Sequence, residues 1–161
     1  MKKIMIGILI TLVALSALSV SALAGAPPSA RGVKGPYEGT FRGYISGEKG
    51  SRASLTLVLT HRDGIVNGTA TIGDGLYVSA GRCGGGNLPG ATQYIRGRSV
   101  PNNPNKILAQ TQFTVSGFDI GVDLESNISR TGKVLTVDAE IDLPWICGKD
   151  PALSGTIYRV R

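Results

Sequence analysis

The chain contains two cysteines, which could form a disulfide, bind a metal or act as reactive thiols. Cys83 lies among glycines in GRCGGGNLPG (residues 81–90), and Cys147 lies in DLPWICGKDP (residues 142–151). A phosphate-binding loop would need those glycines to lead into a helix, with a lysine and a serine or threonine at fixed spacing. A redox or metal site would need CxxC spacing or nearby histidines, and His61 is the sole histidine. We therefore predict a disulfide between Cys83 and Cys147, as oxidising compartments favour.

Carboxylates form the second set of residues with chemical potential. Three acids alternate along residues 119–125 and three more along residues 138–142, so pairing of these two segments would bring up to six acids onto one sheet face. Like charges directly opposite each other are destabilising. Arginines from neighbouring strands or a calcium ion, which takes oxygen ligands, could offset them, and so could a solvated outer face with staggered acids. As a minor hypothesis, a divalent cation binds weakly to Asp119, Asp123, Asp138 and Glu140.

Catalytic groups are sparse. His61 stands beside the turn at residues 62–64, where we expect it to face solvent, and no serine stands in a nucleophile elbow. Outward-facing acids lack the cleft and the raised pKa that glycoside hydrolysis requires. We therefore expect that the protein is not an enzyme and uses no cofactor.

The first residues have the order of a secretory signal peptide: Lys2 and Lys3, an apolar run, and then Ala22-Leu23-Ala24 as a cleavage site. The alternative is an uncleaved membrane anchor. We predict a signal peptide over residues 1–24, a flexible segment over 25–36 and one domain over 37–161. The protein is then secreted, periplasmic or part of the cell envelope, with no stable membrane span after cleavage.

Charge argues against nucleic acid as a partner. Without Lys2 and Lys3, the 17 basic residues fall to 15 against 11 acids, a net charge of +4. The arginines are dispersed singly, whereas a nucleic-acid footprint clusters its charge.

Apolar residues alternate with polar ones in period two over most of the domain, for example from Ala53 to Leu59. Asp63-Gly64 and Asp74-Gly75 predict hairpin turns. The pattern gives eight or nine antiparallel strands and no helix of three turns. We predict an all-β, up-and-down barrel, which at eight strands is filled by side chains or holds one small ligand. The alternative is a two-sheet β-sandwich. Closure is favoured because the strands carry few of the lysines that protect sheet edges.

The stretch Gly39-Thr40-Phe41 on the first strand resembles the G-x-W opening of lipocalins and avidin-like barrels, the calycin type. In lipocalins a basic residue of the last strand packs across that aromatic ring, and the resemblance implies this role for Arg159 or Arg161. Phe41 replaces the tryptophan, and the second family motif has no clear match. The resemblance implies binding of a small, often apolar molecule in the barrel mouth.

We predict a binding module for a small apolar ligand. The alternative is a structural or protein-interaction component of the cell envelope with a packed core, whose partner the sequence does not specify. Segment 84–105 is predicted to act as a lid, and Trp145 either plugs one end of the barrel or lines its mouth. Alanines 53, 70, 109 and 139 would leave room inside. The predicted ligand-binding residues are Phe41, Leu57, Phe113, Ile120, Val122 and Trp145.

Overall fold

A computed structural model describes residues 32–115 and 118–161, so the predicted signal peptide lies outside the described residues. The described part is all-β. Its ten strands are β1 (Gly39–Ser46), β2 (Arg52–Arg62), β3 (Ile65–Ile72), β4 (Leu76–Ser79), β5 (Gly85–Leu88), β6 (Ala91–Val100), β7 (Asn103–Val115), β8 (Phe118–Ile128), β9 (Val134–Asp142) and β10 (Ala152–Arg159). Short 3₁₀ turns span Glu48–Gly50, Gly81–Cys83 and Trp145–Cys147. Over these same residues, no helix has the length and hydrophobicity needed to cross a membrane.

Eight of the strands close into an antiparallel barrel in the order β1-β10-β9-β8-β7-β6-β3-β2. The first and last strands pair with each other, which closes the ring. The predicted barrel is therefore confirmed over the sandwich. The remaining strands, β4 and β5, form a separate two-stranded hairpin between β3 and β6.

Side-chain alternation separates the inside of the barrel from the outside. On β2 the residues from Ala53 to Leu59 at odd positions are buried, while Val58 and Thr60 are exposed. Neighbouring strands keep this pattern in register, so Leu124 on β8 lies opposite Ala139 on β9. The inward-facing side chains form a single apolar core because successive side chains of a strand point to opposite faces.

Residues 32–38 cover one end of the barrel, which we call the closed end. The Tyr37 side chain is fully buried, and its hydroxyl lies 2.5 Å from the Asn105 carbonyl oxygen and 2.8 Å from that of Ser126. Gly35 donates its backbone N–H to the His61 carbonyl at 3.0 Å. A Cβ at Gly35 would collide with the His61 imidazole, so only glycine fits there. Within the predicted flexible segment, Gly35 is thus hydrogen-bonded to β2, and the Val33 carbonyl accepts the backbone N–H of Asp63 at 3.2 Å.

His61 faces the interior, so the prediction of a solvent-facing histidine was wrong. Its side chain is only 2% exposed, because His61 continues the inward series of β2 for one more step. The turn at Asp63 and Gly64 begins only after Arg62 has completed the pairing with β3.

Arg159, and not the exposed Arg161, packs across Phe41 at the closed end, with its guanidinium carbon 4.5 Å from the ring centre. The guanidinium also donates hydrogen bonds to the carbonyl oxygens of Pro36 (2.6 Å), Glu38 and Gly132 (2.7 Å). One side chain on the last strand thereby joins β1, the segment that covers the closed end and the turn between β8 and β9.

Candidate functional site

A cavity of about 430 Å³ occupies the barrel at the end opposite Tyr37. Its walls are formed by inward-facing side chains of the barrel strands, beyond the side chains that pack the closed end. Most of the wall is aliphatic, with one aromatic ring. The wall residues include Leu55, Leu57, Ala70, Ile72, Phe113, Ile120, Val122, Val137, Ala139 and Ile141.

The β4–β5 hairpin lines the mouth of this cavity, and we call residues 76–89 the lid. Val78, Gly86 and Leu88 of the lid line the cavity. Segment 84–105 was the predicted lid, but only residues 84–89 belong to it. Most of the rest forms β6 and the start of β7, within the barrel wall. Isolated four-residue strands such as β4 and β5 are too short for periodicity to distinguish them from loop.

Two attachments hold the lid. At its base, the Ser51 hydroxyl accepts the Tyr77 backbone N–H at 2.9 Å, and the Lys49 ammonium donates to the Tyr77 hydroxyl at 2.8 Å. At its other end, Cys83 forms the predicted disulfide with Cys147, which confirms that pairing. Cys83 itself lines the cavity, so the covalent link lies at the mouth.

Short side chains explain why the cavity is open. Ala70 and Ala139, two of the four alanines predicted to leave room, line it. Ala139 lies opposite both Leu124 and Leu153 in the sheet, so a small residue separates two large ones. Interiors normally contain few voids larger than a water molecule, and a cavity of this size is unusual.

Four of the six predicted ligand-binding residues, Leu57, Phe113, Ile120 and Val122, lie around the cavity. Phe41 does not: it is fully buried at the closed end beneath Arg159. Trp145 is 88% exposed in its 3₁₀ turn, outside the cavity lining, so it neither plugs the barrel nor lines its mouth.

Among the described residues that line the cavity, none has an ionisable side chain. Three polar side chains contribute to it: Asn87 of the lid, Gln93 of β6 and Thr111 of β7. The Thr111 hydroxyl donates to the Tyr94 carbonyl oxygen at 2.8 Å. Sequence reasoning missed Gln93, although it lies two residues before Ile95, and period-two alternation places both side chains on the same face of a strand.

The acidic face lies on the outside of the barrel. Asp123 lies opposite Glu140, and Glu125 lies opposite Asp138. Gln110 donates to Asp123 at 2.9 Å, and the Lys106 ammonium lies 2.5 Å from Glu125. That hydrogen bond from Lys106 lowers the pKa of Glu125. Among residues 32–115 and 118–161, no group of three or more histidines, cysteines or acids could hold a metal ion, and the weak cation site remains a prediction.

A serine and a histidine meet at the closed end, where the Ser99 hydroxyl lies 3.0 Å from His61 Nε2. Nδ1 of His61 accepts the Tyr37 backbone N–H at 3.4 Å, so the ring proton belongs on Nε2, which donates to Ser99. Burial lowers the pKa of His61 and keeps the ring neutral. A nucleophile needs the opposite arrangement, with an unprotonated nitrogen toward the hydroxyl.

The chain was compared with protein-family models, curated proteins and solved structures. No protein-family model matches the chain. No curated protein matches it either. Solved structures do match, at the level of the barrel: EF1p2_mFAP2b bound to DFHBI has a TM-score of 0.52 at 12% identity, covering 78% of this chain and 94% of that one. The chain has a known barrel fold.

Two further structures resemble it equally. The redesigned β-barrel b11L5F_LGL has a TM-score of 0.52 at 13% identity, covering 78% of this chain and 93% of its own. The redesigned β-barrel mFAP1, bound to DFHBI, has a TM-score of 0.51 at 14% identity, covering 77% and 95%. At these identities the likeness shows the fold alone. It supports a lipocalin-like barrel in general and does not single out the calycin type.

Proposed function

We propose that this protein is exported and binds a small apolar molecule inside its barrel, beneath the lid. The observation that carries this proposal is the cavity of about 430 Å³ with its uncharged, mainly aliphatic wall. Ligand pockets of drug-sized molecules span about 300–1,000 Å³. An apolar cavity of about 150 Å³ already accommodates benzene, so this one has room for a larger molecule.

The barrels of similar fold supply secondary support. Two of them were solved with DFHBI, a small organic ligand, which makes ligand binding by an eight-stranded barrel a reasonable expectation here. Export rests on the predicted signal peptide together with the Cys83–Cys147 disulfide, since disulfides persist in oxidising compartments. The proposal includes no catalytic step, because the tautomer of His61 leaves Ser99 without a base.

One observation favours the alternative, a protein-interaction component of the cell envelope. Trp145 and Ile146 are adjacent and both exposed, at 88% and 55%, and exposed apolar patches often mark contact sites. These two residues lie outside the cavity wall, so binding through them would not require a ligand.

Native mass spectrometry of protein purified from its own host tests the proposal directly, because a ligand bound in the cavity should co-purify. After removal of bound lipid, pyrene, an uncharged hydrocarbon whose fluorescence reports on its surroundings, serves as a probe. We expect saturable binding of one pyrene per chain. A host-purified protein with no co-purifying molecule, together with no saturable pyrene binding, would support the alternative.

A matched pair of variants locates the bound probe. Ala139→Leu fills the cavity from the wall and should weaken pyrene binding by about tenfold or more, a loss of about 1.4 kcal/mol. Ala152→Leu is the control, since Ala152 is exposed on β10, next to Glu140. Because the cavity has room for the added side chain, Ala139→Leu should also keep or raise the free energy of unfolding, by at most about 2 kcal/mol for three added carbons. A fall of about 1–3 kcal/mol would instead indicate an overpacked core.

A further inference from the structure

We infer that the cavity selects uncharged ligands and that Gln93 binds their one polar group, a carbonyl, hydroxyl or amide. This inference rests on the proposed function and specifies its ligand class: a neutral amphiphile with an apolar body. Two features of the wall support it, the absence of charge among the lining residues and the position of one amide side chain.

The charge argument concerns ligands such as fatty-acid anions. None of the lining residues is an arginine, lysine or histidine, so a carboxylate in the cavity would meet no opposite charge. Transfer of an ion from water into such surroundings costs several kcal/mol even after relaxation. A carboxylic acid would enter only in its protonated form, because burial raises the pKa of a carboxyl group.

Gln93 is the polar residue that the barrel wall presents to the cavity without an internal partner. It lies opposite the buried Ala70 on β3, whereas the adjacent pair Thr71 and Thr92 joins hydroxyls on the outer face. Gln93 is half-buried, and its side-chain amide makes no hydrogen bond to any residue in the described ranges. Because the Gln93 amide is only half-buried, a ligand group that hydrogen-bonds to it replaces solvent and gains about 0.5–1.5 kcal/mol net.

The neighbouring Thr111 completes the polar end of the cavity. Its hydroxyl proton is committed to the carbonyl of Tyr94, the residue that follows Gln93, so its oxygen can only accept from a ligand. An amide side chain offers two donors and an acceptor. Together they match a ligand group that both donates and accepts, such as a primary amide or a hydroxyl, with the apolar body directed toward the aliphatic wall.

The experiment uses the full mature chain and follows displacement of pyrene by two ligands of equal chain length, decanamide and decanoate. At about pH 8 the carboxylate is ionised, since ordinary carboxyl groups titrate near pH 4. We expect decanamide to displace pyrene at concentrations at least about tenfold lower than decanoate, because an unpaired buried charge is costly.

Variants then assign the polar contact. Gln93→Leu, with Gln93→Met as a second variant in case the first does not fold, should weaken decanamide binding about fivefold to tenfold through the lost hydrogen bond. The readout is the ratio of decanamide affinity to pyrene affinity. This ratio should fall in both variants, because only the amide ligand loses a hydrogen bond while the more apolar wall keeps or strengthens pyrene binding. Gln112→Leu is the control, since Gln112 is exposed on β7.

The outcomes separate the two proposals. Absence of pyrene binding, together with no co-purifying molecule, would overturn the proposed function itself. Pyrene binding with equal displacement by decanoate and decanamide would overturn the preference for uncharged ligands alone. An unchanged ratio of decanamide to pyrene affinity in both Gln93 variants, or an equal fall in Gln112→Leu, would overturn the role of Gln93.

Discussion

Replacing Arg159 by methionine should lower the free energy of unfolding by about 2–4 kcal/mol, because the guanidinium joins three parts of the closed end. Methionine retains an unbranched apolar stem over Phe41 but removes the charge and all donors. Arg161→Met is the matched control. It removes an exposed arginine two residues away and should change stability by less than about 0.5 kcal/mol.

The magnitude follows from the contacts of Arg159. Three backbone carbonyls accept from its guanidinium, those of Pro36, Glu38 and Gly132, and hydrogen bonds to a charged group are each worth about 1.5–3 kcal/mol. Its position over the Phe41 ring adds about 0.5–1 kcal/mol. The side chain is only half-buried, so water replaces part of what the carbonyls lose. The expected loss is therefore well below the sum of the separate contributions.

Urea unfolding followed by circular dichroism measures this difference, since the midpoint shifts while the slope stays constant if only stability changes. Arg159→Lys should fall between methionine and the parent, because an ammonium lacks the planar fork that reaches several acceptors. A loss below about 1 kcal/mol for Arg159→Met, or equal losses for Arg159→Met and Arg161→Met, would refute this account of the closed end.

Two further predictions concern the disulfide and His61. The double variant Cys83→Ser/Cys147→Ser should lose about 4 kcal/mol of unfolding free energy, because the bond closes a loop with a sequence separation of 64. It should also release pyrene faster in stopped-flow measurements, since the lid loses one attachment; a loss below about 1 kcal/mol with an unchanged release rate would contradict this. For His61, burial lowers the folded pKa below the unfolded value, so the unfolded chain takes up the proton first and stability should decline as pH falls below about 6.5. His61→Gln should remove that part of the pH dependence of stability in thermal melts. The variant should still lose stability below about pH 4.5, because the pKa of Glu38 is lowered in the folded state. Identical pH profiles for parent and variant would contradict this prediction.

Most of the fold could be predicted from the period-two alternation of the strands. The alternation from Ala53 to Leu59 predicted which side chains face inward. Continued by two residues, the same alternation places His61 on the inward face as well. The prediction of a solvent-facing histidine was wrong because it relied on the neighbouring turn residues and not on that alternation. The register of β2 with β3 extends to Arg62, and a strand that long carries its last side chains into the barrel.

Parts of the site could not be predicted because they lie where periodicity ends. Pro144 precedes a 3₁₀ turn, and a turn gives no inward or outward alternation, so the hydrophobicity of Trp145 alone suggested an interior position. The disulfide was predictable because the chain contains only two cysteines. The lid was placed too far along the chain, since its two strands have only four residues each.

The two ends of the barrel have different physical tasks. At the closed end Tyr37, Phe41 and Ile157 are fully buried, and Arg159 fixes the surrounding backbone. At the other end alanines keep a cavity open, and its lining atoms forgo the dispersion contacts that a packed core would supply. A barrel with such a cavity needs stabilising interactions elsewhere. The closed end supplies them through packing, and the disulfide adds to stability by restricting the unfolded chain. The covalent link at the lid fits this division, because its stabilisation depends on the length of the loop that it closes and therefore does not require tight packing at the mouth.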